Sequence, residues 1–171
     1  VAHVDGESPA WPIDYDTLEP YYERAERLYH VHGQHGTDPT EPPRGPFPHA
    51  PVPHAPGMAA IVEGLQRQGL HPSHLPLGLI GPGEAGGCLL CSTCNSFPCK
   101  IHAKGEADVC CVRPAIARPN VDLWTNAHAR RLQTSPGGDR VVAVEVERDG
   151  VVHRVESSLF IVSCGAVNSA A

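Results

Sequence analysis

What the sequence lacks narrows its possible functions. No stretch approaches the ~18 consecutive apolar residues of a transmembrane helix, so none of these 171 residues is expected to span a bilayer. Lysine and arginine form no run or stripe and the formal net charge is −6, so nothing favours nucleic-acid binding. No P-loop, G-x-S-x-G or H-E-x-x-H motif is present. The sequence therefore gives no indication of a P-loop nucleotide-binding protein, a serine hydrolase or a zinc peptidase.

The first half of the chain predicts helices separated by a long loop. Apolar residues recur at helical spacing in the first predicted helix, at Leu18, Tyr22, Ala25 and Tyr29. We expect Asp14 or Asp16 to cap this helix, Pro20 to lie in its first turn, and Gly33 to end it. Residues 33–56 contain eight of the 18 prolines and predict an extended surface loop. A short amphipathic helix is expected within residues 57–70.

The second half predicts a third helix and then strands. Residues 106–119 are typical of a helix that Pro114 bends or ends. Five strands are expected, at 121–125, 127–134, 141–148, 151–156 and 157–163. Asp149-Gly150 predicts a tight hairpin turn, and the apolar run of the last segment indicates a strand buried on both faces, as in a parallel sheet. This order favours a mixed α+β or α/β fold.

Four cysteines fall within twelve residues, at Cys88, Cys91, Cys94 and Cys99. The first three match the spacing of a bacterial four-iron cluster, but the last interval is one residue too long. Zinc usually takes two separated ligand pairs, and His102 is a further candidate ligand. Disulfides suit short secreted chains, but seven cysteines is an odd number. An iron–sulfur site, a zinc site, disulfides and structural thiols therefore all remain open.

Eleven histidines are present, most of them in the proline-rich part, and we interpret them as solvated or capping side chains. His102 and His128 are the two worth following. The segment after residue 163 has small residues leading into a predicted helix, which is how α/β proteins bring backbone close to a nucleotide. Because the chain opens without Met and closes in a helix start, we expect an internal fragment of a longer protein.

Three segments together resemble the glucose–methanol–choline (GMC) family of flavin oxidoreductases. They are WPIDYDTLEPYYERAERLYHVHG, VRPAIARPNVDLWTNAHARRL and FIVSCGAVNSAA, in the order and spacing of that family. The segment CNSFPCKIHAKGEADV also resembles bacterial members, in which Asp and Gly usually stand where this chain has Asn95 and Ser96. The cysteines then lie in a loop that we expect to be structural and near the flavin.

The resemblance implies an FAD-dependent oxidoreductase that oxidises an alcohol or sugar hydroxyl by hydride transfer to the flavin. It implies that residues 1–105 are part of a substrate-side region, and that residues 106–171 are part of a Rossmann-like FAD domain with a β-meander. A cysteine-cluster metal module is the alternative. A cytoplasmic location is favoured, and the electron acceptor is left open.

The resemblance also implies which residues meet the cofactor. Ala129 matches a strand position whose backbone meets the FAD adenine, and Cys164, Gly165 and Ala166 match a turn that passes close to the cofactor. The family's N-terminal βαβ unit and its C-terminal catalytic histidine pair do not match any part of this chain. We therefore assign no catalytic residue, and expect the fragment alone to be inactive and prone to aggregation through unpaired strand edges.

Overall fold

A computed structural model describes residues 12–169, which divide into one compact unit ending at Val121 and a second beginning at Asp122. In the first unit the helices are α1 (Tyr15–Leu28), α2 (Met58–Arg67) and α3 (Arg113–Ile116), and the short strands are β1 (Val31–His32) and β2 (Leu77–Gly78). The second unit consists of β3 (Ala127–Thr134), β4 (Val141–Arg148), β5 (Val151–Glu156) and α4 (Gly165–Ser169). This mixture of helices and antiparallel sheets confirms the mixed fold class in its coarse form.

Helix α1 begins where the sequence predicts. Asp14 is the N-cap, and its Oδ1 accepts a hydrogen bond from the Thr17 backbone N–H at 2.8 Å. The prediction for Pro20 was wrong, because Pro20 is the sixth residue of α1 and lies in its second turn. The predicted end at Gly33 was also wrong. The helix stops at Leu28 because His30 takes a left-handed φ of 51° and the chain then enters β1.

Removing the cap of α1 is expected to destabilise the first unit. Asp14→Ala leaves the Thr17 N–H without its acceptor, so we expect a Tm lower by a few degrees in a thermal scan of the full-length protein. Hydrogen bonding from the Thr17 side chain, and then from the Thr17 backbone N–H, lowers the pKa of Asp14. The cap therefore contributes above the ordinary carboxyl pKa, and its contribution is lost as pH falls through the lowered value. Asp16→Ala, in the first turn but not at the cap, should cost less. Equal losses would contradict the capping role.

Three short backbone segments meet in the interior of the first unit. β1 pairs with β2 in antiparallel register, with Val31 opposite Gly78. Leu79 forms an antiparallel bridge with Lys104, and the Ile80 N–H donates to the Ala103 carbonyl at 2.9 Å. The side chains buried here are His32, Leu79 and Ala103. This interior is built from contacts between segments far apart in sequence, rather than from one amphipathic face.

The proline-rich loop and α2 lie where the sequence predicts them. Within 33–56 the backbone forms turns and extended stretches, apart from one isolated bridge that joins His49 to His32. Helix α2 lies inside the predicted range of 57–70 and follows Gly57, which has a φ of 87°.

The third predicted helix is present, but with a wider turn before its proline. Asp108–Val112 forms a π-helical turn, in which the Arg113 N–H donates to the Asp108 carbonyl five residues earlier. Pro114 follows in α3, where it has no N–H to give and its ring would crowd the carbonyl four residues before it. The wider π turn accommodates that carbonyl, so Pro114 widens the helix instead of ending it.

The second unit contains the predicted meander. Its strand order is β3-β4-β5, both pairs antiparallel. Asp149 and Gly150 have φ values of 52° and 77°, the left-handed values that a two-residue hairpin turn of this kind requires, so the hairpin prediction is confirmed. Ala143 in β4 is fully buried.

Two predicted strands were wrong. Residues 121–125 and 157–163 have no strand structure, and Leu159 and Ile161 are exposed, the latter at 81%. A strand buried on both faces needs hydrogen-bonding neighbours and covering elements. Within residues 12–169 no strand pairs with either segment. The described residues also include no helix that is long and apolar enough to cross a membrane.

Candidate functional site

Ala129, the predicted adenine contact, lies on β3 opposite Val146 of β4. β3 is an outer strand of the meander, and the register shifts between Ala129 and Arg131. Ala129 is exposed. Because Ala129 lies on an outer strand and next to this register shift, a flat group has room to approach its backbone.

Cys164 directly precedes the short helix α4, and Gly165 and Ala166 are its first two residues. All three are exposed, and the Cys164 N–H donates to Ser169 Oγ at 3.0 Å. Gly165 has a φ of 79°, and a Cβ added there would meet no atom within 4 Å. The structure places this turn in the same unit as Ala129, but on a different element.

The four clustered cysteines lie in an irregular loop of the first unit. Cys91 and Cys94 are exposed, and Cys88 and Cys99 are half-buried. The loop is fixed at its base, because the Cys88 N–H donates to the Ile80 carbonyl at 2.9 Å. Lys104 Nζ donates to the carbonyls of Cys94 (2.7 Å) and Phe97. Cys91 and Cys94 therefore project from a fixed backbone and are not packed in an interior.

The thiols of this loop differ in their ease of ionisation. Hydrogen bonds from the Thr93 side chain and backbone, and then from the Cys94 thiol, lower the pKa of Cys91. The bond to Cys91 and desolvation raise the pKa of Cys94. Backbone N–H groups, led by that of Ala103 at 3.4 Å, lower the pKa of Cys99. Cys91 and Cys99 therefore ionise more readily than Cys94.

Metal binding is not favoured by this arrangement. Among residues 12–169, no group of three or more His, Cys, Asp or Glu side chains is placed to hold a metal ion. His102 is exposed, with a left-handed φ of 57°. The alternative function, a metal module, thus has no geometric support in the described part of the chain.

The histidine interpretation was wrong for one residue. His32 is 8% exposed rather than solvated, and its Nδ1 lies 2.7 Å from the Ala50 carbonyl oxygen, to which it donates. Its ring stacks on His49 with centroids 4.7 Å apart. His128 is exposed on β3. The only sequence signal for burying His32 was its place between apolar Val31 and the small Gly33.

A cleft of about 580 Å³ lies beside α1 in the first unit. Sequence reasoning missed it, although the tyrosines that line it recur every seven residues: Tyr15 and Tyr22 on one face of α1, and Tyr29 directly after its end. Arg44 pairs with Glu26 and lies 3.6 Å from a Glu41 oxygen. One guanidinium group therefore faces two carboxylates in this wall. The rest of the lining consists of the tyrosines, small or apolar side chains and two glycines.

Residues 81–86, GPGEAG, match the letters of the dinucleotide motif G-x-G-x-x-G. The motif requires a strand before it and a helix after it. Here the segment forms turns that lead into the cysteine loop, and no helix follows until after residue 107. The segment therefore matches the motif in sequence but not in structure, and its geometry does not support a pyrophosphate-binding site.

Comparison with known proteins decides the family. The profile of the GMC oxidoreductase family matches residues 10–171. This chain belongs to the GMC oxidoreductase family. It is 34% identical over 179 residues to a 6'''-hydroxyparomomycin C oxidase of Streptomyces lividus, an alignment that covers 100% of this chain and 32% of that protein. It is also 34% identical over 163 residues to a paromamine 6'-oxidase of Streptomyces fradiae, covering 94% and 29% respectively.

This GMC oxidoreductase chain spans about a third of the length of the curated relatives it matches. The resemblance drawn from its three sequence segments is confirmed. The assignment of Ala129 and of Cys164–Ala166 to the cofactor stays a prediction.

Proposed function

We propose that this chain is part of an FAD-dependent oxidoreductase that oxidises a hydroxyl group of an amino sugar. The observation that carries the proposal is the family match over residues 10–171, together with two relatives named as oxidases of paromomycin-type compounds. Bound FAD would accept the hydride removed from the carbinol carbon. The residues of this chain would bind and orient the cofactor rather than transfer the proton.

Two features of the second unit fit an FAD molecule. Within residues 12–169, the outer edge of β3 has no strand partner, so the backbone near Ala129 is open to the edge of a flat base. No atom lies near the position that a Cβ of residue 165 would take, and Gly165 has no side chain to fill that space. A ligand could therefore come close to the backbone there. Ala166 is also small, so the turn presents little bulk. Contacts of this kind use backbone, which explains why Ala is acceptable at position 129.

The amino-sugar class is inferred from the compounds for which the two relatives are named. One of them is named for the 6' position of paromamine. Because the two relatives cover nearly all of this chain at the same identity, we extend this substrate class to the present protein. Its substrate would then be a cationic polyol with an oxidisable hydroxyl.

The test is anaerobic reduction of the full-length protein by paromamine. We expect the purified protein to carry bound flavin and paromamine to bleach its absorption band. The matched control is the paromamine analogue in which an amine replaces the 6' hydroxyl, which should bleach the band at least about tenfold more slowly because the hydride donor is gone.

The outcomes separate the two parts of the proposal. Folded protein that contains no flavin and takes up none from added FAD would overturn the cofactor assignment. Flavin that is bleached by simple alcohols or sugars but not by paromamine would remove the amino-sugar class and leave the oxidoreductase intact.

A further inference from the structure

We propose that Cys91 and Cys94 form a redox-active dithiol whose substrates are small-molecule disulfides. This site lies in the first unit and does not depend on the proposed flavin chemistry. The proposal rests on the geometry of a single turn, on its exposure and on the backbone that fixes it.

The two cysteines flank a two-residue turn formed by Ser92 and Thr93. The Cys94 thiol donates to the Cys91 carbonyl at 3.7 Å, so its sulfur lies back over the turn toward Cys91. C-x2-C turns of this kind bring two sulfurs within the short Cβ separation that a disulfide requires. Both side chains are exposed, so a small disulfide can reach them.

The turn is fixed from outside by Lys104, whose ammonium group donates to the Cys94 carbonyl at 2.7 Å and to Phe97. Lys104 itself adjoins Ala103, which is buried and accepts the Ile80 N–H. The backbone of the turn is therefore tied to the interior of the first unit, whereas its two thiols remain in solvent. A disulfide between them closes a ring without moving this base.

The two sulfurs have different surroundings. Cys91 Sγ lies 3.5 Å from the Thr93 hydroxyl, which stabilises a thiolate, and its pKa is lowered. The pKa of Cys94 is raised, which makes Cys94 the weaker acid of the pair. This difference assigns Cys91 as the attacking thiol and Cys94 as the resolving thiol.

The reaction balances in two exchange steps. The Cys91 thiolate attacks one sulfur of a disulfide RSSR, forming a Cys91–SR mixed disulfide and releasing RS⁻. Cys94, on losing its proton, attacks Cys91 Sγ, forming the Cys91–Cys94 bond and releasing a second RS⁻. Two thiols are oxidised and one RSSR is reduced to two thiols, and the proton from Cys94 passes to a released thiolate.

The test uses the full-length protein, reduced and then exposed to oxidised glutathione. Cys88→Ser/Cys99→Ser leaves two thiols in the tryptic segment 68–100, so a mass loss of two hydrogens there identifies the Cys91–Cys94 bond. We expect that loss in the double variant. Adding Cys94→Ser should trap glutathione on Cys91. Adding Cys91→Ser instead should slow the reaction of the segment by about tenfold.

A measurement on the unmutated protein guards against variants that do not fold. At neutral pH, Cys91 should be alkylated about tenfold faster than Cys164, an exposed thiol of the second unit. Equal alkylation rates, or a double variant that does not form the bond, would overturn the proposal. Iron or zinc in protein purified without oxygen, lost on Cys91→Ser, would also overturn it by making these thiols metal ligands.

Discussion

Gly105→Ala is expected to destabilise the first unit by about 3 kcal/mol, because it forces a methyl group into a backbone crossing. A Cβ at this position would lie 2.0 Å from the Tyr29 carbonyl oxygen and 3.0 Å from the Gly78 carbonyl carbon. Both contacts are backbone, so no flexible side chain can move aside. The Gly105 N–H also donates to the Gly78 carbonyl at 2.9 Å, and this bond would lengthen as the segments separate. Urea unfolding of the full-length protein, followed by hydrogen exchange in residues 77–80, measures the loss.

The matched control is the same substitution at Gly64, inside α2, where an added Cβ meets no atom within 4 Å. Gly64→Ala should raise stability by about 0.5–1 kcal/mol, because alanine loses less backbone entropy in a helix. If the same substitution lowers stability at Gly105 and raises it at Gly64, the loss at Gly105 comes from the close approach of its backbone to those of Tyr29 and Gly78. If Gly105→Ala proves as stable as the unmutated protein, these backbones do not approach one another as described.

Local chemistry in the sequence was sufficient for the elements that depend on neighbouring residues. Asp14 caps α1 with its own side chain, and the Asp149-Gly150 hairpin needs only the tolerance of those residues for positive φ. Helix α2 follows from apolar spacing within ten residues. In each case the deciding interactions span a few positions along the chain.

The predictions that were wrong concerned features that depend on residues far away in the sequence, or on a helix that tolerates a residue unfavourable to it. Residues 157–163 have the composition of a buried strand, but a strand forms only beside a neighbour, and composition does not supply one. Pro20 shows that α1 tolerates a missing internal hydrogen bond. The convergence of Tyr29, Gly78 and Gly105 joins segments up to 76 positions apart, and no local pattern indicates it.

The candidate sites divide in the same way. The two-residue spacing of Cys91 and Cys94 is visible in the sequence, but their exposure and the Lys104 contact appear only in the fold. Ala129 and Gly165 have no side-chain chemistry that would mark them as site residues. If a residue meets the cofactor through its backbone, its side chain needs only to be small. They were predicted through family resemblance alone, and their contact with the cofactor stays a prediction.

Gly165→Leu is expected to reduce the affinity of the full-length protein for FAD by at least about tenfold, which corresponds to about 1.4 kcal/mol of binding free energy. The side chain would project into space that is open in this chain and that the proposal assigns to the cofactor. A leucine at a φ of 79° also costs roughly 1–2 kcal/mol of backbone strain, a cost to folding rather than to binding. Titration of flavin-free protein with FAD, followed by flavin fluorescence, measures the affinity.

Gly138→Leu separates the two effects, because Gly138 has a φ of 73°, the same open surroundings, and a place in the Ser135–Asp139 turn of the same unit. Its backbone strain should lower the Tm by about as much, yet its FAD affinity should be unchanged. Gly165→Ala, with one methyl group, should fall between leucine and glycine in affinity. If the two leucine variants bind FAD equally well, the turn at Gly165 does not face the cofactor, and the contact predicted for Cys164 and Ala166 fails with it.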